Sequence, residues 1–210
     1  MSSSLPVDCV AMSLTDHPPK PVANLIYQSA PAMFGLMFGG KAIPILTDLV
    51  QHSQNRFSHR YVRVAEASIT GGQGNQILGV ATLIAAESLN QTTDYQTCLN
   101  RWQQLRLQFV DALILNRLVR HDYPPGTFYI ANLAVDSAYR GQGIGTQLLQ
   151  YCIAEAATAK ASHVYISVDI DNPRAQNLYE SLGFQVIETK TLRLSQSVGS
   201  RVLALSLDSL

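Results

Sequence analysis

The period of the apolar positions changes along the chain. Val22, Leu25 and Ile26 recur at helical spacing, and after the Gly39-Gly40 break Ile43, Leu46, Leu49 and Val50 do so again, which predicts a pair of helices. Tyr61, Arg63 and Ala65 then alternate with Val62, Val64 and Glu66, a strand pattern. Residues 76–86 form a nearly continuous apolar run that predicts a second, more buried strand. The glycine-rich segment between them, residues 70–75, predicts a hairpin turn, because it lacks the Gly-Lys-Ser/Thr ending of a phosphate loop and no helix follows it. From Thr127 onward the order becomes strand, helix, strand, helix, strand, strand over residues 128–135, 145–160, 163–168, 173–182, 184–189 and 201–207. That order predicts an α+β fold with a mixed sheet whose centre holds a βαβ crossover.

Two segments lie outside this alternation. Residues 1–20, rich in Ser and Pro, predict an extended lead-in with an edge strand over residues 7–12. Residues 87–126 predict a helical insertion with two apolar stripes, Trp102, Leu105, Phe109 and Leu113 on one side and Leu107, Val110, Ile114 and Leu118 on the other. The stripes lie about 140° apart at about 100° per residue, so both sides are expected to be covered, by the sheet and by a second helix or a second subunit. No repeat divides the 210 residues, which read as a single domain with residues 127–190 as its core.

Hydrophobic residues make up 47% of the chain and charged residues only 14%, which excludes disorder as the main state. Fifteen basic residues balance fifteen acidic ones, without the basic excess that a phosphate backbone requires, so no nucleic-acid partner is expected. So few charges leave apolar surface to hide, and a homodimer is one way to hide it. Cys9, Cys98 and Cys152 stand far apart and read as reduced thiols, with neither a disulfide framework nor a zinc site. His59, His121 and His163 show no metal-ligand spacing. Residues 1–6 lack the basic start of a signal peptide, and the apolar stretch 30–50 is broken by Pro31, Lys41, Pro44 and Asp48. A cytoplasmic protein with no membrane partner is expected.

The strongest chemical signal is the run from Val135 to Thr146, a strand end, a short turn and a glycine-rich helix start. Gly141, Gly143 and Gly145 remove side chains that would keep a ligand from the backbone, so the N–H groups of Arg140, Gly141, Gln142, Gly143, Ile144, Gly145 and Thr146 can converge on an anion at the positive end of a helix. A pyrophosphate is the expected guest. The spacing matches neither a dinucleotide fingerprint nor a nucleoside-triphosphate loop. Further on, Asn172 reads as a helix N-cap, Ala175 and Tyr179 share a face one turn apart, and Gly183 ends the helix.

Arg140-x-x-Gly143-x-Gly145, followed by Asn172, Ala175 and the block Leu178-Tyr179-Glu180-Ser181-Leu182-Gly183-Phe184, resembles the GNAT superfamily of N-acetyltransferases closely over about residues 127–190. The resemblance implies that family's fold, a mostly antiparallel sheet with a central splayed parallel pair and flanking helices. It also implies acetyl-CoA as co-substrate. The backbone of Leu133, Ala134 and Val135 would pair with the pantetheine arm like an added strand, the loop amides would hold the pyrophosphate, Asn172 would bond the arm or a phosphate, and Tyr179 would lie near the thioester sulfur.

Transfer of an acyl group from a thioester to an amine needs a neutral amine, a polarised carbonyl and a proton for the departing thiolate. A backbone N–H near Val135 is expected to polarise the carbonyl. Tyr179, with an ordinary pKa of about 10, is the expected general acid. Glu66 and Glu87, near the ends of the two middle strands, are the candidates for general base, with Asn132 placed to orient a water. Met33, Phe34, Leu36, Met37 and Phe38 either line an acceptor pocket or pack in the core. The expected activity is N-acetylation of a small-molecule or peptide amine; the alternative is a non-catalytic acyl-CoA-binding or sensing module.

Overall fold

The apolar run becomes a central strand of a seven-stranded sheet in the order β1-β2-β3-β4-β5-β7-β6. In this computed structural model residues 6–68, 75–110, 112, 122–193 and 197–207 are described. The elements are β1 (Asp8–Ala11), α1 (Pro19–Ser29), α2 (Pro31–Phe38), α3 (Ala42–Gln51), β2 (Val62–Ser68), β3 (Asn75–Ala85), α4 (Tyr95–Cys98), α5 (Arg101–Val110), β4 (Phe128–Val135), α6 (Ile144–Thr158), β5 (His163–Asp169), α7 (Pro173–Ser181), β6 (Gln185–Arg193) and β7 (Ser197–Ser206). Every strand pairing is antiparallel except β4 with β5, the two strands joined by the α6 crossover. The expected mixed α+β sheet is present, with β1 on the edge as the lead-in pattern predicted.

Each face of the sheet carries its own core. On one face Val22, Ile26, Leu46, Leu49 and Val50 of α1 and α3 pack with Val62, Val64 and Val80. On the other, Ile144, Leu148, Leu149 and Cys152 of α6 pack with Leu78, Leu83, Ile130, Val164 and Ile166. Because β2 and β3 are covered on both faces, they read as apolar runs with little clean alternation. Arg63 is buried on β2 and donates from Nε to Glu155 Oε2 at 2.6 Å, which ties the sheet to α6 through a charge-assisted bond.

Two expectations need correction. The helical pair is three helices: Ala30 leaves the helical region at φ −153° and ψ 66°, and Pro31, which cannot continue α1, takes the first turn of α2. A 3-10 turn over Gly39–Lys41 then separates α2 from α3. Within Pro31–Gln51 the mean hydropathy reaches 1.4 over an 18-residue window, yet Phe34, Met37, Leu46 and Leu49 are buried in the core of this fold.

The second correction concerns the insertion. On α5, Val110 is buried and Leu107 packs against the first core, but Trp102, Leu105 and Phe109 are 82%, 57% and 67% exposed. Among the described residues of the chain only one side of this helix is covered, and it is α2 rather than the sheet that lies along it. There Arg106 donates to the carbonyls of Leu36 and Gly35 at 2.8 and 3.0 Å, satisfying the end of α2. Leu113, Ile114, Leu118, His121 and the turn at 70–74 lie outside the described residues.

Candidate active site

The site begins where β4 and β5 part. They pair in parallel at Phe128 with Val164, Tyr129 with Tyr165 and Ile130 with Ile166, and no further. Past Ile166, β5 continues only with β7, while β4 continues with β3 through a register shift between Val80 and Thr82. At that irregularity Asn132 takes the left-handed conformation at φ 52°, and its side-chain amide donates to Ser29 Oγ at 3.1 Å. Further along, Gly79 faces Val135, and a Cβ there would stand 2.9 Å from the Ala134 carbonyl oxygen, so only glycine permits this close approach. The edge of β4 at Leu133, Ala134 and Val135 is thereby left without a strand partner and faces a cleft of about 1280 Å³.

At one end of the cleft stands the glycine-rich loop. Asp136 Oδ1 accepts from Ala138 N at 2.9 Å, and Arg140 Nε donates back to the Val135 carbonyl at 3.0 Å, which fixes the turn out of β4. Gly141 and Gly143 sit at φ 80° and 81°, and Gly143 is the N-cap of the 15-residue α6. A Cβ at either would meet no atom within 4 Å, so these glycines are required by backbone conformation and leave open space beside the loop. Among the described residues, no backbone hydrogen bond outside the helices uses the N–H groups of residues 140–143, and the first turn of α6 holds no acidic side chain. This is a fitting cradle for a pyrophosphate. Gly141, Gly143, Ile144, Gly145 and Thr146 line the cleft; Gln142 follows the same backbone path but is not part of the lining.

The opposite wall is β5 and α7. Asn172 caps α7 by accepting from Ala175 N at 3.1 Å through Oδ1. Asn172, Ala175 and Tyr179 all line the cleft, with Tyr179 only 6% exposed and its ring 6.3 Å from that of Phe184. Burial raises the Tyr179 pKa, and neighbouring Tyr129 and Asp169 add to the shift. The phenol therefore holds its proton throughout the neutral range.

The two glutamates are placed elsewhere. Glu66 is buried on β2 beside the edge strand β1, away from the fork, where its Oε2 is 2.8 Å from His17 Nε2 and its Oε1 accepts from Asn75 Nδ2 at 2.7 Å. Ser13 N donates to His17 Nδ1 at 2.9 Å, which aims Nε2 at Glu66. Glu87 accepts from Gly126 N at 2.8 Å, and that bond lowers its pKa. Neither lines the cleft. Among the described residues the cleft has one carboxylate, Asp169 at the end of β5. Burial raises its pKa, with Asp171 adding to the shift.

Sequence reasoning missed Asp169 and Tyr129. Both sit on strands where the period predicts only an inward or outward face, and nothing in the pattern marks where two strands separate. Of the apolar stretch on α2, Met33, Phe34 and Met37 line the cleft; Phe38 belongs to the core and Leu36 is 38% exposed.

A sheet split between two parallel strands, with a phosphate-type cradle beside the split, defines an acyl-CoA-dependent transferase fold. The model of the acetyltransferase (GNAT) family matches residues 48–184, and the chain belongs to that family. Acetyltransferases of that family use acetyl-CoA. Among curated proteins, N-alpha-acetyltransferase 30 of Xenopus laevis is 33% identical over 141 residues, covering 64% of this chain and 50% of that protein. N-alpha-acetyltransferase RimI of Mycobacterium tuberculosis is 40% identical over 62 residues, covering 30% of this chain and 37% of the relative. The chain thus spans about half or less of these relatives. An N-acetyltransferase from Staphylococcus aureus Mu50 shares the fold with a TM-score of 0.67 at 16% identity, covering 94% of this chain and 100% of that one.

Proposed function

We propose that the chain is an acetyl-CoA-dependent N-acetyltransferase that acetylates the primary amine of a small molecule or peptide. The relatives named N-alpha-acetyltransferases favour an α-amine. The observation that carries the reading is the meeting of three features at one cleft: an unpaired β4 edge, the amide cradle at α6, and the buried, protonated Tyr179.

When bound, acetyl-CoA supplies the acetyl thioester. The open edge at Leu133, Ala134 and Val135 takes the pantetheine amides as an added strand would, and an N–H of the same edge polarises the carbonyl. Asp169 accepts the proton of the incoming ammonium, and its raised pKa makes it a stronger base than an exposed aspartate. As the carbon–nitrogen bond forms and the carbon–sulfur bond breaks, Tyr179 gives its proton to the sulfur. The nitrogen gives up its second proton as the amide forms, a proton returns through water to the phenolate, and Asp169 releases its proton to solvent.

A panel of amines with acetyl-CoA tests this reading, with thiol release and acetylated product followed together. Equal amounts of the two are expected for at least one amine. Tight CoA binding with no amine-dependent thiol release from any member would instead make the chain an acyl-CoA binder.

A further inference from the structure

The cleft continues past the fork toward α2, and its charges are unevenly placed. Among the described lining residues, Arg140 and Arg174 stand at the starts of the two helices on the cofactor side, Asp169 stands at the fork, and Arg56 is the one charge on the far wall. That wall is built from the first core: Phe34, Met37, Phe57 and Leu99 belong to one apolar cluster, with Met33, Tyr95 and Leu107 packed against it. Its other polar groups include the uncharged amides of Asn90, Gln91 and Gln104.

Arg56 is held in place by its neighbours. Asn55 is completely buried; it donates to the Leu49 carbonyl at 2.9 Å and to Asp94 Oδ2 at 2.8 Å, and it accepts from Phe57 N at 2.8 Å. Gln54 N donates to the same Asp94 oxygen at 2.6 Å. The loop is thus clamped on both sides of Arg56, and the nearby carboxylate of Asp94 is spent on that clamp.

The Arg56 guanidinium carbon lies 5.7 Å from the centre of the Phe57 ring, which itself packs edge-on against Phe34 at 5.6 Å. Its Nε is buried without a hydrogen-bond partner, and no carboxylate among the described residues forms an ion pair with it. A guanidinium keeps its charge at any physiological pH, so a half-buried one with an idle donor is incomplete. Arg56 also lies within electrostatic reach of the fork: the Tyr123 hydroxyl is influenced by both Arg56 and Ser167, and the Tyr123 ring stacks on Tyr129 at 5.2 Å.

We infer that Arg56 binds a carboxylate of the acceptor, so that the amine substrate carries an acidic group close to the amine that is acetylated. A carboxylate matches the guanidinium fork and supplies the missing acceptor. With a single cation and uncharged amides around it, the wall fits one negative charge better than the two of a phosphate. The inference deepens the acetyltransferase reading and rests on it. Two sources carry this chemistry, a free amino acid and a peptide with an acidic side chain near its N-terminus.

The test separates binding from turnover. Calorimetry on the CoA-loaded full chain compares N-acetylglycine with N-acetylglycinamide, and an N-acetylated Glu-containing peptide amide with its Gln counterpart. The parent protein is expected to favour the carboxylate member of at least one pair by about tenfold or more, and the pair that responds identifies the source. Arg56→Gln should abolish that preference with CoA affinity unchanged, and Arg56→Lys should restore it only in part, since lysine keeps the charge but not the fork. Equal affinity within both pairs, or a preference that survives Arg56→Gln, overturns the inference. Thiol release with the unacetylated compounds is read separately: preference in binding without any turnover would leave the Arg56 site standing and sink the acetyltransferase reading.

Discussion

Ile130 on β4 and Ile166 on β5 are the last facing partners of the parallel pair, and the cleft opens directly beyond them. Both are buried, at 1% and 2% exposure, so the fork is anchored in the core of the α6 face. The strands part because β5 goes on with β7, while β4 turns at the Asn132 irregularity and goes on with β3. Backbone groups that would have closed a sheet are left for a ligand.

The loop is tested by charge at fixed shape. Gly143 is a helix N-cap in the left-handed region, a conformation that Asn and Asp tolerate better than other side chains, so Gly143→Asn and Gly143→Asp should both fold. Asp places a negative charge at the cradle. Calorimetry should show CoA binding weaker in the Asp variant than in the Asn variant by about tenfold or more, the equivalent of about 1.4 kcal/mol. Equal affinities would remove the loop from phosphate binding.

If Asp169 takes the ammonium proton, Asp169→Asn should lower kcat/KM at neutral pH on the order of 10²-fold. The deficit should shrink as pH rises and the free amine becomes neutral without help. In the parent the acid limb of the profile should lie above the ordinary aspartate value of 3.8, because burial delays loss of the proton and the protonated form cannot act as base. A deficit that stays constant across the alkaline range would assign Asp169 a role in shape alone.

Much of the fold was legible in the sequence because the relevant signals are local. The glycines at 141 and 143, the Asn172 cap and the Gly183 stop each act within one turn of chain. The site was legible only where the same local signals built it, at the loop and along α7. Glu66 and Glu87 are carboxylates at strand ends, but which strand ends share a cleft depends on where β4 and β5 diverge, a property of pairing across the sheet. Arg56 gave no signal for a similar reason, since its isolation follows from Asn55 and Asp94 meeting across almost forty positions. The insertion differs: its inner side meets α2 rather than the sheet, and no described element of the chain covers Trp102, Leu105 and Phe109.

Packing predicts a contrast between two apolar residues. Leu149 is fully buried under the sheet, so Leu149→Ala should cost about 2–5 kcal/mol in denaturant unfolding. Phe109 is 67% exposed, and Phe109→Ala should stay within about 0.5 kcal/mol of the parent. Similar losses in both would mean that the Phe109 face is covered in solution.

Thiol reactivity should follow burial. Cys152 is buried beneath the sheet and its pKa is pushed up to about 12, mainly by that burial, so a disulfide reagent at pH 8 should leave it unmodified in the folded protein. Cys9 and Cys98, both partly exposed, should react first. Rapid native-state labelling of Cys152, located by peptide mass analysis, would show that α6 opens from the sheet.

The most direct test of the catalytic account is kcat for Tyr179→Phe at saturating acetyl-CoA with an accepted amine. The substitution keeps the ring packed against Phe184 and deletes the proton proposed to reach the sulfur. The account predicts a loss on the order of 10²-fold with acetyl-CoA affinity little changed. A kcat within a factor of about three of the parent, less than ~1 kcal/mol of barrier, would contradict it and assign Tyr179 to packing.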